Sequence, residues 1–183
     1  MNCNHLTHAD LAGHAEFRMG RRKFVRLATL GAGTAMFMGA APARASGGIE
    51  ALLLSCMDYR LVDDLTRYMD GRGLTNQYDH IVLAGASAGA SHPKLASWHD
   101  TFWSHLQVAI DLHKVKKVVV VDHRDCGAYK IAVGPDHAKD PATELAAHAE
   151  ILGPLKAEIV KRFPHLEVET HLMALDGSVE QVG

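Results

Sequence analysis

The sequence predicts an α/β domain built on a central, mainly parallel β-sheet of about four strands flanked by helices. Short apolar runs alternate with longer amphipathic stretches, and no internal repeat or low-complexity segment interrupts that order after residue 45. The runs are continuous rather than alternating, which fits parallel strands covered on both faces.

Taken in order, Ala51-Leu52-Leu53-Leu54 gives a first strand, Ile81-Val82-Leu83 a second and Val118-Val119-Val120-Val121 a third, with a fourth from Leu166 to about Leu172. Leu61, Leu65 and Tyr68 mark a short helix after the first strand. Leu95, Trp98, Phe102, Leu106 and Ile110 recur at steps of three and four and form one apolar helical face, with Trp98 and Phe102 read as core. Leu145, Leu152, Leu155, Ile159 and Phe163 repeat the pattern, and Gly153-Pro154 is expected to kink or divide that helix. Parallel strands joined by helices imply right-handed crossovers and a ligand crevice at the carboxyl ends of the strands.

The first 45 residues differ from the rest, holding six of the nineteen Lys and Arg residues and two acids, Asp10 and Glu16. Arg21-Arg22-Lys23-Phe24-Val25-Arg26, a weakly apolar stretch over 27–41 and Ala43-Arg44-Ala45 have the layout of a secretory signal. The apolar part is short and Gly-rich for a membrane span, so an uncleaved anchor is the lesser reading. Paired arginines ahead of Phe24 resemble the twin-arginine signal, which carries folded cargo. The expected organisation is therefore a signal over 1–45, then one domain over 46–183 that acts in the periplasm with no membrane span after cleavage.

Residues 46–183 carry thirteen basic and nineteen acidic side chains. Such an acidic domain offers no basic stripe for phosphates, which argues against nucleic acid and for a small, non-polyanionic substrate. Only Cys56 and Cys126 remain in this part. In an oxidising compartment two cysteines suggest a disulfide, but their neighbours point elsewhere.

His123-Arg124-Asp125-Cys126 is an H-x-x-C pair directly after the third strand, and Cys56 directly follows the first, so strand ends can bring all three to one rim. Two Cys and one His suit Zn2+ with a fourth position left open, the pattern of a catalytic site. In Cys56-Met57-Asp58-Tyr59-Arg60, an extended backbone would point thiolate, carboxylate and guanidinium the same way, with Arg60 keeping Asp58 ionised. Of the ten histidines in 46–183, only His123 is singled out by spacing. His99, His105, His113 and His148 read as surface or satisfied core residues, while His92 and Ser87 are weaker candidates for the same rim.

C-x-D-x-R followed by H-x-x-C-G resembles the β-class carbonic anhydrases. The specific parts are Cys56 to Leu61 and His123 to Gly127, and Leu172-Met173-Ala174-Leu175-Asp176-Gly177 is similar to the final strand and turn of short, divergent bacterial members. The resemblance implies Cys56, His123 and Cys126 as zinc ligands, with Asp58 and Arg60 as the catalytic pair. Asp58 would be either a fourth ligand or the acceptor that orients a zinc-bound hydroxide toward carbon dioxide, giving bicarbonate. It also implies a homodimer or higher oligomer. One departure stands out: where the family carries Arg-Asn-Ala-Gly, residues 84–90 read Ala-Gly-Ala-Ser-Ala-Gly-Ala. That change leaves open hydrolysis of carbonyl sulfide or carbon disulfide on the same site, or a zinc-binding or redox protein without the reaction.

Overall fold

The computed structural model describes residues 48–183, so the expected signal at 1–45 lies outside the described residues. Five strands form one sheet in the order β2-β1-β3-β4-β5, where β1 is Ala51–Ser55, β2 Tyr78–Val82, β3 Lys117–His123, β4 Glu167–Met173 and β5 Val179–Gln181. The first four pair in parallel; β5 pairs antiparallel with β4 and is the strand that the apolar runs did not announce. β2 also begins three residues earlier than Ile81. It is an edge strand, and Tyr78, Asp79 and His80 are polar enough to hide it from a search for apolar runs.

The pleat sorts the central strands onto two faces. Ala51, Leu53, Val119 and Val121 meet Leu61, Leu65 and Met69, the last two from helix α1 (Val62–Gly71). Leu52, Leu54, Val118 and Val120 meet Phe102 and Leu106 of α3 (His99–Val108) and Leu152, Leu155 and Ile159 of α5 (Pro141–Arg162). At roughly 25 cal/mol per Å² of apolar surface, these two layers supply most of the folding drive.

Local chemistry fixes the element ends. Asp140 caps α5 by accepting from the Thr143 N–H at 2.8 Å, Pro141 occupies the first turn, and Lys161 and Arg162 face the negative end of the dipole. The helix runs unbroken past Gly153-Pro154, contrary to the expected division. Burial of Leu152 and Leu155 on either side of the pair ties both halves to the sheet and offsets the lost backbone bond. Trp98 is a second correction. A 3-10 stretch over Pro93–Trp98 precedes α3 and turns it out to 37% exposure, while Trp103 packs against the core. Among the described residues, no helix is long and apolar enough to cross a membrane.

Because β1 lies between β2 and β3, the chain leaves it toward one face and returns on the other, which opens a crevice at the carboxyl ends of β1 and β3. Cys56 comes one residue after β1, and His123 is the last residue of β3.

Candidate metal centre

Cys56, His123 and Cys126 meet in this crevice with their ligand atoms within 4.8 Å of one another. The two sulfurs lie 4.0 Å apart, and both cysteines are free rather than bridged. Cys126 sits at the N-terminus of helix α4 (Gly127–Ala132), reached through a tight turn in which Asp125 adopts φ 55°. Glu144 of α5 holds that turn, accepting from the Asp125 N–H at 2.5 Å and from Arg124 Nη1 at 3.0 Å.

His123 Nδ1 lies 2.8 Å from the Arg124 carbonyl, an acceptor, so Nδ1 carries the proton and Nε2 the lone pair. That Nε2 is buried and has no hydrogen-bond partner. An orphaned imidazole nitrogen beside two sulfurs is the donor arrangement zinc takes, with the second ring nitrogen tied to a carbonyl as zinc-ligating histidines commonly are. The residues present therefore fit the metal.

The three groups also set one another's charge. A hydrogen bond from Cys126, outweighing burial and helped by His123 and the Gly85 N–H, brings the Cys56 thiol down to about 4. Cys126 is pushed up, chiefly by its bond to Cys56 and then by burial. Burial works against a charge on His123, yet the Cys56 sulfur, the Arg124 carbonyl and Asp58 raise it above its ordinary value.

Asp58 and Arg60 stand at the mouth. Asp58 caps the 3-10 turn Tyr59–Leu61, accepting from the Arg60 backbone N–H at 3.0 Å. Its carboxylate is gripped by Arg60 Nε at 2.9 Å and Nη2 at 2.8 Å, while Arg60 Nη1 also reaches Asp125 Oδ2 at 2.9 Å. The Arg60 side chain holds the Asp58 carboxyl at about 2, so it is ionised at neutral pH. Asp58 Oδ2 lies 3.8 Å from His123 Nε2, facing the ligand cluster. Beneath it, Leu61, Leu65, Val121 and Met173 form one wall and Cys56, Asp58, Asp122 and His123 the rest of a pocket of about 10 Å³, room for the centre of one water-sized molecule.

The weaker candidates do not reach this rim. Ser87 is fully buried and bonded to Asp122, and His92 accepts from the Lys94 N–H in a groove away from the cysteines. His148, read as an ordinary helix histidine, is fully buried with Nδ1 2.9 Å from Asp122 Oδ2. Sequence reasoning missed the role of Asp125 as second anchor of Arg60, and Asp122 altogether. A carboxylate directly after four valines was the available signal.

Residues 48–160 match the protein family described as "Putative carbonic anhydrase". The chain is 41% identical over 133 residues to an uncharacterized protein of Rickettsia conorii, covering 73% of this chain and 72% of that one. It is 38% identical to an uncharacterized protein of Rickettsia bellii, over 73% and 81% of the two chains. In fold it resembles the beta-carbonic anhydrase isoform I of Trichomonas vaginalis, at TM-score 0.50 and 16% identity over 90% of this chain and 98% of that one. It likewise resembles one of two tetrameric beta-carbonic anhydrases from Sordaria macrospora, at TM-score 0.50 and 17% identity over 87% and 94%.

Proposed function

The chain belongs to the carbonic anhydrase family that its residues 48–160 match, and from that premise we propose that it hydrates carbon dioxide to bicarbonate, with Asp58 and Arg60 as the catalytic pair. The observation that carries this is the placement of an Arg-clamped carboxylate 3.8 Å from the free nitrogen of His123, which itself meets the two sulfurs. Cys56, His123 and Cys126 would hold zinc. Bound zinc supplies Lewis acidity that makes hydroxide available near neutral pH.

Asp58 acts as an acceptor. Ionised and fixed by three hydrogen bonds from Arg60, it takes the nucleophile's proton as a hydrogen bond, leaving a lone pair to face the carbon. Arg60, itself anchored on Asp125, prevents the carboxylate from turning away. Leu61, Leu65, Val121 and Met173 give the small pocket beside them an apolar wall, against which an uncharged molecule such as carbon dioxide can lie. Bicarbonate forms when hydroxide adds to the carbon, and its negative charge favours departure past the acidic surface of 46–183.

Stopped-flow hydration by the zinc-loaded protein tests this against carbonyl sulfide and carbon disulfide hydrolysis. Carbon dioxide turnover across pH 6 to 9 that falls in Asp58→Ala supports it. Turnover of the sulfur compounds alone, or of none of the three, overturns the assignment.

Two wider proposals accompany it. Met57 and Tyr59, 66% and 86% exposed on the outer side of the catalytic segment, offer apolar surface that a second copy would cover in a homodimer or higher oligomer. Sedimentation giving a monomer would refute that. Arg21 and Arg22 support export to the periplasm by the twin-arginine route. Replacing both with Lys should then strand the protein in the cytoplasm, and unchanged export would contradict it.

A further inference from the structure

We infer that Asp122 is a positioning residue of the metal centre, the hub of a buried network with Ser87, Tyr129 and His148 that sets where the two cysteine sulfurs stand. The inference rests on the reading of Cys56, His123 and Cys126 as zinc ligands, and extends it to residues that touch no metal.

The pleat sends Asp122 to the face opposite His123, against α4, α5 and the segment that opens at Ser87. There it is 1% exposed, and its carboxylate takes four contacts. The Ser87 N–H donates to Oδ1 at 3.0 Å; the Ser87 hydroxyl at 2.6 Å, the Tyr129 hydroxyl at 2.6 Å and His148 Nδ1 at 2.9 Å all converge on Oδ2. The two hydroxyls are also 2.7 Å apart, so their two protons serve three oxygen contacts. Tyr129 stacks on His148 with ring centroids 3.8 Å apart. One carboxylate thereby ties the end of β3 to helix α2 (Ser87–Ser91), to α4 and to α5.

Two of these ties lead to a ligand. Ser87 opens α2 directly after Gly85 (φ 76°) and Ala86 (φ 41°, ψ −98°), a conformation Ala adopts only when its surroundings impose it. That turn aims the Gly85 N–H at Cys56 Sγ, 3.2 Å away. A side chain at Gly85 would strike Ala128, its Cβ only 2.9 Å from that of Ala128, so the turn is also wedged against α4. Tyr129 lies on α4 three residues after Cys126 and fixes that helix in depth. Stability alone does not call for such a cluster, since apolar residues of equal volume often serve as well as buried charge. Holding two sulfurs and an imidazole at fixed separations does call for rigid support, and outer-shell partners of metal ligands have this effect.

Zinc affinity by chelator competition, together with the visible spectrum of the cobalt-substituted protein, tests the inference. Ser87→Ala should weaken zinc binding about 10-fold, and Asp122→Asn up to about 100-fold, both shifting the thiolate-to-cobalt charge-transfer band. Ile159→Ala, three turns from His148 on the same helix, is the comparison: it should lose thermal stability while affinity and spectrum stay those of the parent. If Asp122→Asn does not fold, Ser87→Ala and Tyr129→Phe decide. Affinities within twofold of the parent and an unchanged band in both would overturn the inference, as would equal weakening in Ile159→Ala. A parent protein that takes up neither zinc nor cobalt refutes the metal site itself, and this inference with it.

Discussion

Two polar clusters are set into the same sheet, and they differ in what they leave unpaired. Toward the amino ends of β3 and β4, Glu169 is met by Lys117 at 2.8 Å, His171 at 3.2 Å and Arg72, and Arg72 lies over the Tyr68 ring. Its charges are matched within the cluster. At the carboxyl ends of β1 and β3, the other cluster leaves His123 Nε2 buried without a partner and two unbridged sulfurs 4.0 Å apart. Both are partly buried and both mix acids with bases, but only the second holds cysteines. His137 and His148 also bury an unpartnered Nε2, so what separates a site from a brace is the convergence of three ligand atoms within 4.8 Å rather than charge density or one unpaired nitrogen.

The largest test of that contrast removes a sulfur. Cys126→Ser should abolish zinc binding and the whole rate enhancement, on the order of 10⁶-fold or more for an enzyme, with metal content read by atomic spectroscopy. Next in size is Asp58→Asn, which keeps the shape and loses the charge. Hydration should fall roughly 100-fold while zinc content stays at the parental level, and a loss of zinc instead would make Asp58 a ligand.

The brace should answer in stability alone. Burial opposes ionisation of Glu169, but bonds from Lys117, His171 and Arg72 outweigh it and bring its carboxyl down to about 2. Since the folded value lies below the unfolded one, this contribution is fully present above the ordinary 4.5 and is lost as pH falls through about 2. Glu169→Gln should therefore cost about 2 to 3 kcal/mol at pH 7 by denaturant unfolding, closing between pH 4.5 and 2, with zinc affinity unmoved. Smallest of all is Arg67→Ala, which breaks an exposed pair with Asp64 and should change stability by under about 1 kcal/mol.

Legibility in the sequence followed the range of the interactions. β1, β3 and β4 were visible because both faces of each are buried, whereas β2, at an edge, showed only its Ile81-Val82 end, and β5, three residues long, carries no apolar run. Pro154 does not divide its helix because propensity is local and the packing of Leu152 and Leu155 is not. The three candidate ligands and the Asp58–Arg60 pair lie within two short motifs at the ends of β1 and β3, so the strand-end rule brought the ligands to one rim and the resemblance to β-class carbonic anhydrases implied the pair. Asp122 could not be read that way: its partners Ser87 and His148 lie 35 and 26 residues off, on elements that meet only in the fold.

The most direct measurement is the metal and thiol content of the purified protein. The account predicts one zinc per chain, with Cys56 and Cys126 unreactive until a chelator removes it and both titrating as thiols afterwards. Metal-free protein whose two cysteines have joined in a disulfide would contradict it.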